Sequence, residues 1–265
     1  MPIKILAVPA FKDNYIWLMI SQDQKYAVIV DPGDAAPVLS ALQHHKLNLT
    51  AILITHHHWD HTNGIAELIK YYPVPVFGPA TEKIPGVTCP VSEKYPVLLP
   101  KLKLTWRVLD IPGHTLGHIA YYNNDSLFCG DTLFTGGCGK LFEGTAAQLH
   151  HSLCKLANLP DNTKVYCGHE YTQSNLRFAQ IVEPENNNLL YRIEKTTKLR
   201  EKNLPTVPST IIEEKQTNPF LRCHIPEVIH SAEQYAGKEF RDPVEVFTCL
   251  RGWKNAPNST NFPEI

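Results

Sequence analysis

Thr55-His56-His57-His58-Trp59-Asp60-His61 packs four metal-ligand side chains into seven residues, at the spacing His-x-His-x-Asp-His. Imidazole nitrogen and carboxylate oxygen are the donors that zinc and related first-row metals take. One ion cannot accept all four from so short a segment, but a tight loop can send them towards two neighbouring ions. Upstream, Thr50-Ala51-Ile52-Leu53-Ile54 reads as a buried strand; downstream, Asn63-Gly64-Ile65-Ala66-Glu67-Leu68-Ile69-Lys70 reads as the start of a helix. The donors therefore sit at the C-terminal end of a strand, where open α/β sheets place their sites. His57 and Trp59 fall between the donors. Alternation turns them away, so both read as packing residues.

Further donors follow later strands. Trp106 to Asp110 runs into Ile111-Pro112-Gly113-His114-Thr115-Leu116-Gly117-His118. Ser126 to Cys129 runs into Gly130-Asp131-Thr132, and Thr163 to Cys167 into Gly168-His169-Glu170. Each Gly-Asp or Gly-His pair alone reads as a turn. Their recurrence after apolar strands, together with the first cluster, reads as a composite site. With these residues the chain resembles the metallo-β-lactamase superfamily. The resemblance implies an αββα sandwich with a metal site at one edge. It implies His56, His58 and His114 on a first ion, Asp60, His61 and His169 on a second, and Asp131 bridging. His118 takes the place of a residue behind the ligands, as a structural hydrogen bond or an orienting one.

The 265 residues are 43% hydrophobic, ample for a core. Lys+Arg is 25 and Asp+Glu is 26, so no global field favours nucleic acid as a partner. The N-terminus reads as a first strand, not a signal peptide, and no segment reads as membrane-spanning. Seven cysteines, an odd number without a Cys-x-x-Cys, argue against a disulfide framework and suit a reducing cytosol. The expectation is a cytoplasmic protein, a monomer, acting on a small molecule.

Along the chain, residues 3–8, 15–20 and 26–30 read as strands, 36–45 as a helix, 62–72 as a helix and 74–78 as a strand. Residues 79–101 are proline-rich and irregular. Strands follow near 102–109, 119–123 and 126–129, then a helix to about 158 and a strand at 163–167. Residues 171–183 and 187–202 read as helices, and Asp242-Pro243-Val244 opens a last one. The expected class is α/β, an αββα sandwich over residues 1–170 with a small helical domain over 171–265.

Two segments bear on substrate. Thr135-Gly136-Gly137-Cys138-Gly139-Lys140-Leu141-Phe142-Glu143-Gly144 follows Asp131, and Arg251 and Lys254 stand three apart on one helix face. Taken alone, Lys140 reads equally as a solvated lysine, and Arg251 and Lys254 as an ordinary helix end. The chain as a whole resembles the hydroxyacylglutathione hydrolase (glyoxalase II) family. The resemblance runs through Lys12-Asp13-Asn14-Tyr15, Thr55 to His61, Gly113-His114-Thr115, Gly137-Cys138-Gly139-Lys140 and Gly168-His169-Glu170-Tyr171-Thr172. It continues in Asn218-Pro219-Phe220-Leu221-Arg222 and in Arg251 with Lys254. It implies that Lys140, Arg251 and Lys254 hold the glycine carboxylate of glutathione and that Tyr171 contacts the tripeptide. Phe142 stands where many relatives have tyrosine, which leaves it packing or stacking rather than a hydroxyl contact. The implied reaction is attack of a metal-bridging hydroxide on the thioester of S-D-lactoylglutathione, releasing D-lactate and glutathione, with Asp60 and Asp131 as catalytic carboxylates. Two zinc ions are expected, and iron or manganese also suit such donors. The alternative reading is a mono-iron glutathione persulfide dioxygenase of the same superfamily.

Overall fold

The computed structural model describes residues 3–256. Residues 257–265 of the expected second domain and residues 1–2 of the first lie outside the described residues. The first half builds a six-stranded sheet from β1 (Lys4–Ala10), β2 (Asn14–Ile20), β3 (Tyr26–Val30), β4 (Asn48–Leu53), β5 (Val76–Pro79) and β6 (Cys89–Val91), in sequential order. β1 to β3 pair antiparallel. β3 to β6 pair parallel, with α1 (Ala35–His45) and the helical stretch α2 (Trp59–Thr62) and α3 (Ile65–Tyr71) in the crossovers.

The second sheet holds β7 (Val97–Leu99), β8 (Leu104–Asp110), β9 (Ile119–Asn123) and β10 (Ser126–Gly130), in antiparallel pairing. A two-stranded ribbon, β11 (Leu133–Phe134) and β12 (Gly137–Cys138), and helix α4 (Ala146–Ala157) come next. β13 (Lys164–Cys167) then joins β10 in parallel. The helical part comprises α5 (Thr172–Val182), α6 (Asn187–Glu201), α7 (Ile211–Thr217), α8 (Pro226–Ala236) and α9 (Pro243–Asn255), with a 3₁₀ turn at Pro219–Leu221. Within it, β14 (Ser209–Thr210) adds to the edge of the second sheet beside β13.

The sandwich follows from side-chain alternation. In β2 every residue is buried, since the sheet is covered on both faces. Trp17 and Met19 point between the sheets, into a core shared with Trp106, Tyr121, Phe128 and Val165. Ile16, Leu18 and Ile20 point the other way, against Val38 and Leu42 of α1 and Leu68 of α3. Helix starts are capped as their sequences dictate. Thr145 with Gln148 and Thr210 with Glu213 form capping boxes, and Asp242 caps α9 ahead of Pro243.

Several expectations are corrected. The helix expected over 62–72 is broken at Gly64, whose N–H donates to Pro32 O at 2.9 Å and whose Cα stands so close that a Cβ would lie 2.5 Å from that oxygen. Trp59 does not pack in the core: it is 65% exposed, edge-on to Phe11. His57 lies between two carboxylates, Glu82 at 3.1 Å and Glu143 at 3.2 Å. That places it as a tie between the loops around the site.

Candidate metal centre

Thr55 stands just beyond the end of β4, the strand that feeds the site, and a buried carboxylate fixes it there. Asp31 accepts from Thr55 N at 2.8 Å and from Thr55 Oγ1 at 2.7 Å. The loop that follows turns its donors inward. His56 Nε2 and His114 Nε2 each stand 3.0 Å from His58 Nδ1. His61 Nε2 stands 3.3 Å from His169 Nε2, and Asp60 Oδ2 lies 3.7 Å from the first and 3.4 Å from the second. Donors bound tetrahedrally at about 2.0–2.1 Å stand about 3.3 Å apart, so both groups are close to the spacing one ion sets. Asp131 lies between them: Oδ1 is 3.4 Å from His61 Nε2, and Oδ2 is 3.6 Å from His114 Nε2 and 3.2 Å from His169 Nε2. All seven expected donors thus converge on one place.

The strand-ending glycines make this approach sterically feasible. At Gly168 a Cβ would lie 2.5 Å from Asp131 Oδ1 and 2.7 Å from the His61 ring. Gly130 has φ of +48°, a left-handed backbone that glycine adopts without penalty, and carries the chain over Thr55 and His118 into Asp131.

Behind the donors, the outward ring nitrogens are engaged. His61 Nδ1 meets Asp31 Oδ2 at 3.0 Å, His169 Nδ1 meets Asp13 Oδ1 at 2.9 Å, and His114 Nδ1 donates to Lys140 O at 2.8 Å. His56 Nδ1 lies 3.0 Å from Thr55 Oγ1. Such partners fix ring orientation and leave the opposite nitrogen free to bind. His118 sits behind, its Nε2 accepting the Asp131 N–H at 3.2 Å. Asn14 Nδ2 donates to Asp60 Oδ2 at 3.0 Å. Sequence reading assigned no role to Asp13, Asn14 or Asp31. The segment Asp31-Pro32-Gly33-Asp34 has the composition of a turn, and Asp31 is at φ +52°, but its carboxylate faces inward.

The electrostatics suit a divalent cation. Burial pushes His56, His58, His114 and His118 below the usual imidazole range, keeping these rings neutral, as ligands must be. Burial would likewise lower His61 and His169, but Asp131 outweighs it and holds both above that range. Burial would raise Asp131, yet His169 and His61 hold it well below the carboxylate range. Asp131 Oδ1 is a buried carboxylate oxygen with no hydrogen-bond donor. Buried carboxylates of this kind demand a positive partner. Three neutral donor imidazoles, two carboxylates, an orphaned oxygen, and two further rings whose protons an ion would replace fit a divalent metal. A third cluster, Asp31 with His56 and His61, has its carboxylate already committed to Thr55 and the His61 ring.

A cavity of about 490 Å³ opens beside His114 and Asp131. Lys140, Phe142, Tyr171, Arg251 and Lys254, all five residues the sequence offered for substrate, line it. Phe142 is 65% exposed and stands edge-on to the His58 and His114 rings. Tyr171 stacks on the His169 ring at 4.7 Å. Arg251 is buried; it donates to Cys138 O and Asn255 Oδ1, both at 3.0 Å, and its Nε has no acceptor. Lys254 donates to Asn175 Oδ1 and lies over the Phe178 and Phe220 rings. Burial, followed by the Arg251 and Lys140 cations, pushes its pKa down to about 7.

This sandwich, with its donors at one edge, is the architecture of the metallo-β-lactamase superfamily, whose family model matches residues 12–169. Residues 170–257 match a second model, described as the hydroxyacylglutathione hydrolase C-terminus. A relative from Nitrosomonas eutropha named hydroxyacylglutathione hydrolase is 54% identical over 254 residues, covering 96% of this chain and 98% of its own. The chain belongs to the hydroxyacylglutathione hydrolase family. Among solved structures, ETHE1 from Myxococcus xanthus aligns with a TM-score of 0.67 at 27% identity, covering 98% of this chain and 93% of its own. TTHA1623, solved in a di-iron-bound form, aligns with a TM-score of 0.57 at 25% identity, covering 82% of this chain and 100% of its own.

Proposed function

We propose that this chain hydrolyses S-2-hydroxyacylglutathiones, S-D-lactoylglutathione foremost, to D-lactate and glutathione, the second step of methylglyoxal detoxification. The observation that carries this reading is the shared cavity. It has metal donors His114 and Asp131 at one end and the cations Lys140, Arg251 and Lys254 on its wall. A thioester at the centre can therefore keep its carboxylate on the cations. We assign His56, His58 and His114 to one ion, Asp60, His61 and His169 to another, and Asp131 to both. Zinc is the metal these donors favour, and iron or manganese suit them as well.

Two such ions supply an activated water at neutral pH and Lewis-acid stabilisation of the developing oxyanion. The chain's own residues do the rest. Asp60, steadied by the Asn14 amide, accepts a hydrogen bond from the attacking water and aims it. Tyr171, stacked on His169, contacts the tripeptide, and Phe142 covers the rim as an apolar ring. The leaving thiol has a pKa of about 8.5 in free cysteine, so it departs as the anion without a strong general acid. In this reading residues 1–170 are catalytic and 171–265 bind glutathione. Seven free thiols, one exposed at Cys154, suit the reducing cytoplasm. The near-zero net charge offers nucleic acid no electrostatic footing. Among the described residues no helix is long and apolar enough to cross a membrane. We place the enzyme as a cytoplasmic monomer.

Thiol release from S-D-lactoylglutathione, run beside an oxygen electrode with glutathione persulfide, tests the reaction. Cleavage independent of oxygen is expected. Rapid oxygen uptake on the persulfide without thioester cleavage would favour the dioxygenase.

Two further outcomes are expected. Asp31→Asn removes the charge behind His61 and should weaken metal retention about 10- to 100-fold in chelator competition. Unchanged retention would show that the ring needs no such support. Secondly, KM for the glutathione thioester should rise with pH. Below about 7, Lys254 carries its proton and meets the carboxylate as an ammonium. As pH rises through that value the free protein loses the proton while the complex keeps it. Affinity then falls by at most about tenfold per pH unit. Lys254→Arg stays charged throughout and should flatten the profile. A wild-type KM that does not rise across this range contradicts the assignment.

A further inference from the structure

The ribbon β11–β12 is gripped from outside at every residue of its turn. Phe134 O accepts from Asn218 Nδ2 at 3.3 Å, Thr135 O from Asn175 Nδ2 at 3.0 Å, and Gly137 O from Asn218 Nδ2 at 2.9 Å. Gly136 N donates to Glu214 Oε2 at 2.9 Å, and Cys138 O accepts from Arg251 at 3.0 Å. All these side chains belong to the helical part. Asn218 and Glu214 are fully buried and bonded to each other at 3.0 Å, and Glu214 is also paired with buried Arg192. Asn218 Oδ1 accepts from Phe220 N at 3.1 Å, which fixes which way its amide faces. A buried ion pair seldom adds stability over apolar packing, so its presence here calls for another purpose.

The ribbon joins the two halves of the site. Asp131 stands just before it. Gly139 returns so near that a Cβ there would lie 1.9 Å from Asp131 O. Lys140 follows, with its side chain on the cavity and its carbonyl on His114 Nδ1. Slack is absent at the turn: Gly136 has φ of +70°, and a Cβ at Gly137 would meet the Asn175 side chain at 2.6 Å.

We infer that Asn218 and Glu214, which line neither the cavity nor the metal centre, are positioning residues. Through the ribbon they set Lys140 of the anion pocket and the Asp131–His114 side of the metal centre in one arrangement. The pocket half of this inference rests on the glutathione reading above.

Asn218→Ser tests it. Serine keeps the cap on Phe220 N but is too short to hold the ribbon carbonyls. The full-length, metal-loaded protein is compared with wild type by calorimetric titration with glutathione, by metal loss to a chromogenic chelator, and by KM and kcat. The expected result is about tenfold weaker glutathione binding and a matching rise in KM, the size of one buried hydrogen bond. Metal loss should quicken several-fold, while kcat at saturating metal stays within about twofold. If Asn218→Ser does not fold, Gly136→Ala, which displaces the same turn against Leu176, carries the test. Unchanged titration and unchanged metal loss overturn the inference. So does a change in one without the other, because the positioning is joint. Failure of the wild type to bind glutathione defeats the pocket reading instead, and quickened metal loss in the variant would still uphold the ribbon's hold on the metal centre.

Discussion

Asp131→Ala should empty both halves of the metal centre together and lower kcat by at least about a thousandfold, the scale of lost metal and oxyanion stabilisation. The reason is geometric. Asp131 is the donor whose two oxygens face both groups, towards His61 on one side and towards His114 and His169 on the other. Removing it also strips the negative charge that holds His61 and His169 above the usual imidazole range. Those rings then lose both their anion and the ion they would share. By contrast, Asp60→Ala should weaken one group and spare the other, since the metal donors near Asp60 Oδ2 are His61 and His169. Elemental analysis beside a thiol-release assay separates these outcomes. Full metal content with full activity in Asp131→Ala would remove Asp131 from the site.

Arg251→Ala should raise KM for the glutathione thioester by roughly 10- to 100-fold, the range of about 1.5–3 kcal/mol for a hydrogen bond to a charged group. kcat should change little, because the contact is remote from the scissile bond and is made in ground and transition states alike. A small thioester lacking the glutathione moiety should not register the change. Free glutathione carries the same glycine carboxylate, so its direct titration should show a loss of the same size. If the variant cleaves both substrates as well as wild type does, helix α9 is not the carboxylate clamp.

What was legible in the sequence was whatever is local. Four donors in seven residues, and three strands ending in Gly beside a donor, survive without knowledge of the fold. The β2 and β4 strands read correctly because both faces are apolar. The rest depended on contacts between distant segments. Asp31 looked like a turn residue and Asp13 had no role of its own, and only the folded chain brings their carboxylates to His61 and His169. Helix α7, Ile-Ile-Glu-Glu-Lys-Gln-Thr, is short and polar and would be taken for surface, yet Glu214 within it is fully buried. The ribbon strands have two residues each, too few for any period to register. Trp59 was misplaced because alternation, a strand rule, was carried into a segment that begins a helix. Lys140, Arg251 and Lys254 could be linked only through resemblance, and the shared cavity supplies the physical connection.

A two-ion thioesterase with a glutathione pocket on the same cavity needs both ions for turnover. That need is tested most directly by adding metal back to stripped protein while following S-D-lactoylglutathione cleavage by thiol release, with metal content measured on the same samples. No cleavage is expected without metal, and activity should level off at two ions per chain. Full activity at one ion, or cleavage that persists in stripped protein, would contradict it.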